Sequence, residues 1–314
     1  MRPVPAILFL IFNRPDTTSE VFEVIKRQKP EKLYVAADGP RGNIEGEAEK
    51  CKKVRESVLS GIDWNCEIKT LFRKENIGCG SAVSEAINWF FEQEEEGIIL
   101  EDDCCPSDSF FSFCSELLEK YRHNQMIYSI SGTSFVNANN KASYYFSRHY
   151  EVWGWATWRR AWKNYDYSMK EWPAYKESGK IQEVYRGKMF KKYWYLVLDG
   201  LFNLENKYTW DFQWMFTCWL YNGLTIHPNI NLVSNIGFDD DATHTKNNDS
   251  KHGDRVAGEI RNIVHPKSMH TINWVEKVYL EKRYFIRNRW KSYWLHIRKV
   301  LGLKPMNRSI NSLC

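Results

Sequence analysis

The stretch that decides the fold is Gly97-Ile98-Ile99-Leu100-Glu101-Asp102-Asp103, in which three branched apolar residues run directly into three carboxylates. Such an apolar run predicts a strand buried in a parallel sheet. Adjacent carboxylates repel one another and are costly to desolvate, so three of them after a buried strand indicate a nearby cation. Ligands of open α/β sheets bind beyond the carboxyl ends of the strands. A divalent ion that bridges a diphosphate fits this pattern, and an acidic loop is the alternative.

Alternating strands and helices surround this stretch and predict an α/β fold. The predicted strands are residues 6–12, 33–37, 67–73, 97–100, 126–132 and 225–233, and the predicted helices are about 19–28, 47–59, 80–91, 110–121 and 210–222. Short turns between strands and helices favour a mostly parallel sheet with helices on both faces. Arg14 and Asp38 follow the first two of these strands.

The composition changes near Tyr144, where aromatic residues become frequent. Nine of the 14 tryptophans lie between Trp153 and Trp219. Aromatic density of this kind is equally typical of a buried core and of a site where apolar sugar faces pack on rings. The change divides the chain into a predicted domain over residues 1–265, with a nucleotide-binding half (1–132) and an acceptor half (133–265), and a tail over 266–314.

Charge is distributed unevenly along the 314 residues, whose net charge is +5. The segment from Lys282 to Cys314 contains nine Lys/Arg and no Asp/Glu, which leaves 35 Lys/Arg and 39 Asp/Glu elsewhere, or about −4. This balance argues against nucleic acid as a partner of the main body. From Trp274 to Leu303 aromatic and basic residues recur at helical spacing, which favours a helix on an anionic membrane surface, with packing on the domain as the alternative.

Cysteine usage and hydropathy bear on localisation. The eight cysteines include no C-x-x-C pair, so reduced thiols are expected rather than disulfides. No window approaches the ~18 uncharged apolar residues of a spanning helix, and the apolar run near the start predicts a first strand rather than a signal peptide. The expected localisation is cytoplasmic, with the tail at the inner membrane face.

The order of these motifs resembles the nucleotide-sugar-dependent glycosyltransferases of GT-A fold. The likeness is greatest to the animal N-acetylglucosaminyltransferase that begins complex N-glycans and to bacterial relatives labelled hemolytic-protein-like. It extends from Pro5 to about His252, and its strongest element is residues 99–103 followed by Pro106-Ser107-Asp108-Ser109-Phe110-Phe111. The resemblance implies a GT-A fold and a donor that is a nucleotide sugar, with a UDP-sugar favoured.

The resemblance also implies roles for the residues at the strand ends. Asp103 would hold Mn²⁺ or Mg²⁺, Glu101 would contact the donor sugar, and Asp102 the ribose. Arg14 and Asp38 would hold the base and ribose region of the nucleotide.

Three later motifs of the sequence match the family. Trp153-Gly154-Trp155 matches a Gly-Trp element beneath the sugar and acceptor pocket. Trp210-Asp211 matches a pair whose aspartate is the catalytic base, while an N-capping aspartate at a helix start is the alternative. Residues 237–244 match a loop that closes over the diphosphate, in which His244 would contact the donor. Thr243 stands where the family has serine, and the neighbouring aspartates 239–241 raise a second option of a loop carboxylate on the metal.

The sequence supports one leading hypothesis and two alternatives. The leading hypothesis is a metal-dependent, inverting glycosyltransferase whose acceptor is a glycan or a lipid-linked glycan of a bacterial surface polysaccharide. A sugar-phosphate nucleotidyltransferase would share the nucleotide-binding half, but such enzymes carry a glycine-rich loop after the first strand, and residues 12–16 contain no glycine. A non-catalytic carbohydrate-binding protein of the same fold is the third hypothesis.

Overall fold

The structure is a computed structural model that describes residues 3–138, 141–184, 187–205, 207–237 and 255–283. The strands are β1 (Ile7–Ile11), β2 (Lys32–Ala37), β3 (Glu67–Phe72), β4 (Glu96–Glu101), β5 (Cys104–Pro106), β6 (Ile127–Ser131), β7 (Tyr144–Ser147), β8 (Trp155–Trp158), β9 (Leu224–Pro228) and β10 (Val233–Asn235). The helices are α1 (Pro15–Gln28), α2 (Glu47–Ser60), α3 (Cys79–Phe91), α4 (Asp108–Tyr121), α5 (Arg159–Trp162), α6 (Trp172–Ser178), α7 (Ile181–Val184), α8 (Lys188–Phe202), α9 (Asp211–Leu220) and α10 (Asn273–Arg283).

Eight strands form one sheet in the order β3-β2-β1-β4-β8-β6-β9-β7. The first four are parallel to one another, in the 3-2-1-4 order of nucleotide-binding α/β sheets. β8 lies antiparallel between β4 and β6, and β7 is antiparallel to β9, so six of the eight strands share one direction. The predicted α/β class with a mostly parallel sheet is confirmed.

The central strands are buried on both faces because helices cover each side. Successive side chains of β1 point to opposite faces, so Leu8 and Leu10 pack in the cluster with α3, α8 and α9. Ile7 and Phe9 pack in the second cluster, with α1, α2 and α4. The uninterrupted apolar runs of β1, β2 and β4 follow from this two-sided burial.

A small second sheet lies beside the end of β4. β5 and β10 pair antiparallel, with Asn235 opposite Cys104, and the Ile236 N–H donates to the Asp103 carbonyl at 2.8 Å. The strand predicted over 225–233 is therefore two strands in two sheets, separated by a turn in which the Asn229 side chain donates to the Ala142 carbonyl at 2.7 Å. This arrangement brings the chain after β10 back to the carboxylates.

Helix α10 belongs to the core rather than to a separate tail. Val275 and Tyr279 are fully buried, and the Glu276 carboxylate accepts hydrogen bonds from Ser147 Oγ and the Arg148 N–H. The predicted membrane-surface helix is therefore wrong for residues 273–283, because their apolar side faces the domain. Residues 284–314 lie outside the described part of the chain. Within the described ranges, no helix has the length and apolar character to cross a bilayer.

Candidate active site

A cavity of about 410 Å³ opens at the carboxyl ends of β1 to β4. Its floor is apolar and lies between the sheet and α3; the residues that form it are Leu10, Ala36, Leu71, Ala82, Val83 and Ala86. Its rim is polar, since residues that follow each strand reach it. Parallel strands end at one edge of a sheet, so the fold alone gathers these side chains into one site.

Glu101, Asp102 and Asp103 line this cavity together and are called here the carboxylate notch. Arg14, which follows β1, bridges two of them, since its Nη2 lies 3.0 Å from Asp102 Oδ1 and its Nη1 lies 3.0 Å from Asp103 Oδ2. The Phe12 N–H donates to Asp102 Oδ2 at 3.1 Å. Asp102 is therefore tied to the end of β1, whereas Asp103 lies nearer the opening, with 15% of its side chain exposed.

Burial raises the pKa values of two carboxyls of the notch. Burial raises the pKa of Asp102 to about 7; Arg14 opposes that rise, the charge of Asp103 adds to it, and the Phe12 N–H opposes it. Burial also raises the pKa of Glu101 well above its usual range, followed by the charges of Asp103, Asp102 and Asp211.

Asp38 lies at the cavity, as predicted from its position after β2. Its carboxylate accepts hydrogen bonds from the backbone N–H groups of Gly39 at 2.8 Å, Ile77 at 3.1 Å and Gly78 at 3.0 Å. Asp38 thereby fixes the turn that enters α3. Any contact between Asp38 and a nucleotide would use the lone pairs that these donors leave.

Asp211 reaches the same region from the second half of the chain. It is the first residue of α9, and Trp210 occupies the N-cap position, so Asp211 is not the N-cap residue. Its Oδ2 accepts a hydrogen bond from the Tyr150 hydroxyl at 3.2 Å, and its Oδ1 accepts one from the Thr209 hydroxyl. Its charge contributes to raising the pKa of the cavity residue Glu101. Asp211 is not among the residues that line the cavity.

Of the four predicted pocket residues, Trp153 is the one that lines the cavity among the residues described. Trp155 is fully buried on the central strand β8 and stacks on Trp210, with ring centroids 5.7 Å apart. Gly154 has φ +61°, and a Cβ there would lie 2.7 Å from a Val233 methyl. Gly154, Trp155 and Trp210 do not line the cavity, and Trp155 and Trp210 pack in the aromatic core.

Gly237 contacts the carboxylate notch directly. A Cβ on it would lie 2.3 Å from Asp103 Oδ2 and 2.7 Å from Arg14 Nη1, so only glycine fits there without a shift. The chain that continues into the predicted diphosphate loop thus starts beside Asp103. His244 and aspartates 239–241 lie outside the described residues.

Several cavity residues were missed by the sequence reasoning. They are Phe12, Arg41, Arg73, Tyr208 and Asn235. Arg41 and Arg73 lie just after β2 and β3, so the rule that located Asp38 could have found them. The Arg41 guanidinium lies 5.7 Å from the centre of the Phe12 ring. Tyr208 and Asn235 carry no such signal, because only tertiary packing brings them to the cavity.

The notch fits a divalent ion that is shared with a ligand. In the described ranges no three His, Cys, Asp or Glu residues are arranged to hold a metal by themselves. Mg²⁺ and similar hard ions in nucleotide sites take one or two carboxylates and complete their shell with phosphate oxygens and water. Asp103, partly exposed and next to uncompensated acids, offers such a ligand.

Comparisons with known proteins gave structural likenesses alone. No family model matches the chain, and no curated protein matches it. Similar solved structures include a mannosyltransferase from Pyrobaculum calidifontis in complex with GDP-Man and Mn²⁺ (11% identity, 49% of this chain and 44% of that one, TM-score 0.33). They also include a cytidylyltransferase from Leptospira borgpetersenii (12%, 68% and 92%, 0.33) and apo mouse xyloside xylosyltransferase 1 (10%, 68% and 80%, 0.32).

These similar structures therefore include both glycosyltransferases and nucleotidyltransferases. The chain spans less than half of the length of the mannosyltransferase. Likeness at these identities and TM-scores does not indicate a shared activity. The cavity and the residues that line it are therefore the basis on which a function can be proposed.

Proposed function

We propose that this protein is a metal-dependent, inverting glycosyltransferase that uses a nucleotide sugar, with a UDP-sugar favoured. The observation that carries the proposal is the carboxylate notch, in which Glu101, Asp102 and Asp103 line one cavity together. The notch, at the end of β4, would supply negative charge for a cation, and that cation would bind a diphosphate. Asp211 lies close enough for its charge to raise the pKa of Glu101 and comes from a different half of the chain.

The donor would bind across the strand ends. Asp103 would hold Mn²⁺ or Mg²⁺, and a bound divalent ion supplies Lewis-acid neutralisation of the departing diphosphate. Arg14 would remain close to Asp102 and contribute positive charge to the same region. The nucleotide would extend toward Asp38, and Glu101 would face the donor sugar. His244 would contact the donor, as the sequence motif predicts.

Asp211 would act as the general base. A carboxylate within hydrogen-bond reach of the acceptor hydroxyl takes its proton as the oxygen attacks the anomeric carbon. Attack from the side opposite the diphosphate inverts the configuration at that carbon. Trp153, which lines the cavity, would pack against a sugar face.

The acceptor proposed is a glycan or a lipid-linked glycan. The basic segment after Lys282 would favour an anionic membrane surface, where the protein would lie peripherally on the cytoplasmic side. This part of the proposal depends on composition and can fail without affecting the donor site.

A donor screen tests the proposed function. UDP-, GDP- and CMP-sugars are incubated with the protein with and without Mn²⁺, and release of the nucleoside diphosphate or monophosphate is measured. We expect Mn²⁺-dependent hydrolysis of a UDP-sugar that EDTA abolishes. Release of pyrophosphate from a nucleoside triphosphate and a sugar phosphate would instead identify a nucleotidyltransferase.

A further inference from the structure

The Asp211 carboxylate is held by two hydroxyl groups on opposite sides. Thr209 lies two residues before it and donates to Oδ1, while Tyr150 comes from the segment before β8 and donates to Oδ2 at 3.2 Å. The two donors therefore fix both the position and the rotation of the carboxylate plane. One local and one distant donor make this geometry depend on the tertiary fold.

This arrangement leaves the carboxylate able to accept a further hydrogen bond. An ionised carboxylate has about four lone-pair sites, and two are used by Thr209 and Tyr150. Asp211 is the first residue of α9 and is partly exposed, so one of its remaining sites is available to a substrate hydroxyl. Its orientation, rather than its presence alone, then decides whether that site points into the cavity.

Both donors are themselves supported by buried contacts. The Tyr150 carbonyl accepts a hydrogen bond from the Tyr279 hydroxyl of α10 at 2.9 Å. Tyr279 also stacks on His149, with ring centroids 4.7 Å apart and planes 4° from parallel. On the other side, the Thr209 carbonyl accepts from Gln213 Nε2 at 2.6 Å. Helix α10 thus contributes to the placement of Tyr150.

We propose that Tyr150 and Thr209 are positioning residues for the catalytic base, and that α10 supports the active site through Tyr150. The inference rests on the proposed function, in which Asp211 takes the proton of the acceptor. Neither hydroxyl reacts; each orients one oxygen and stabilises the ionised form of the carboxylate, because a hydrogen bond to a charged form favours that form. The acceptor hydroxyl gives its proton to Asp211 as its oxygen bonds to the anomeric carbon and the diphosphate departs.

Kinetics of the holoenzyme with donor, acceptor and Mn²⁺ test this role in Tyr150→Phe and Thr209→Val. Loss of one hydrogen bond to a charged group should lower kcat by about 10-fold, while KM for the donor stays unchanged. The acidic limb of the pH profile of kcat should move to higher pH, because a carboxylate that has lost a donor is protonated more readily. Thr209→Ser keeps the hydroxyl and should restore both kcat and the profile.

Tyr144→Phe is the matched control for loss of a buried tyrosine hydroxyl. Tyr144 bonds to Tyr121 at 2.7 Å and to His265 at 2.9 Å, at the far edge of the sheet. It should lower stability and leave the pH profile unchanged. If Tyr150 and Thr209 have a purely structural role, Tyr150→Phe and Thr209→Val should, like Tyr144→Phe, lower stability and leave the pH profile unchanged. That result would overturn the inference.

The Asp211→Asn variant separates failure of this inference from failure of the proposed function. If Asp211→Asn abolishes turnover while Tyr150→Phe and Thr209→Val keep the wild-type kcat and pH profile, the base is correct and the positioning role is wrong. If Asp211→Asn turns over normally, the base itself is misassigned and both ideas fail.

Discussion

The two halves of the chain position their predicted site residues by different means. Up to residue 132, charged residues are placed by the ends of parallel strands, as Arg14, Asp38 and Asp103 show. After residue 132, Asp211 and Trp153 are placed by packing among aromatic rings and by hydroxyl donors. A charged residue at a strand end can therefore be predicted from sequence, whereas the position of a residue that is placed by packing depends on residues distant in the chain.

The largest effect is expected from the second half, at Asp211. Asp211→Asn keeps the size of the side chain and its ability to accept hydrogen bonds but removes the base. We expect kcat to fall by about 10²–10⁴-fold with donor binding retained, and steady-state kinetics with Mn²⁺ measures both. Asp63→Asn, which alters an exposed carboxylate paired with Lys26, is the control and should leave kcat unchanged. Turnover of Asp211→Asn near that of the wild type would place the base elsewhere.

The next effect tests whether α10 is part of the second half. Tyr279 is fully buried and donates to Tyr150, so Tyr279→Ala should lower the free energy of unfolding by about 3–5 kcal/mol. Trp274 lies on the same helix with 47% of its surface exposed, and Trp274→Ala should change the free energy of unfolding by less than about 0.5 kcal/mol. Urea unfolding monitored by circular dichroism gives both values. Equal small effects would mean that α10 does not pack on the domain in solution.

A smaller effect is expected at Arg14, in the first half. Arg14→Gln removes the cation that bridges Asp102 and Asp103, and without metal it should lower the free energy of unfolding by about 1–3 kcal/mol. Mn²⁺ should then raise the melting temperature of this variant more than that of the wild type, because the notch lacks a positive charge. Arg27→Gln, at an exposed ion pair with Asp108, is the control. Equal Mn²⁺ shifts in all three proteins would contradict this account of the notch.

The smallest effect concerns the pH dependence of stability. The pKa of Asp102 is raised to about 7 in the folded protein, mainly by burial, so the folded state binds a proton that the unfolded state releases at lower pH. Its contribution to stability is therefore greatest near pH 4 and is lost as pH rises through about 7. The unfolding free energy of the wild type minus that of Asp102→Asn, measured in EDTA, should fall as pH rises over this range, because the Asn side chain does not ionise. A rise of this signed difference with pH would mean that folding lowers the pKa of Asp102 rather than raising it.

Sequence patterns predicted the first half of the fold well and the second half poorly. The strands up to β4 are apolar runs buried on both faces, and the helices between them have clear apolar periodicity, so their order and ends could be read. β7 and β8 were missed because Tyr144–Ser147 and Trp155–Trp158 are short and aromatic, a pattern also typical of core helices and loops.

The same contrast holds for the site. The notch was predicted at a strand end, Arg14 and Asp38 were assigned to the donor by the resemblance, and all of them line one cavity. Thr209 is next to a predicted residue, but its hydrogen bond to Asp211 has no sequence signature. Tyr150 lies 61 residues from Asp211, and no local pattern pairs them. Trp155 and Trp210 were expected at the pocket from their match to family motifs, and such a match does not distinguish a lining ring from a buried one.

The central claim is that the carboxylate notch binds a nucleotide diphosphate through a divalent ion. The most direct measurement is calorimetric titration of UDP into wild type and Asp103→Ala, with and without Mn²⁺, with Asp108→Ala as a control at an exposed carboxylate. We predict Mn²⁺-dependent UDP binding in the wild type and in Asp108→Ala, and its loss in Asp103→Ala. UDP binding that is the same in all three proteins and indifferent to Mn²⁺ would contradict the claim.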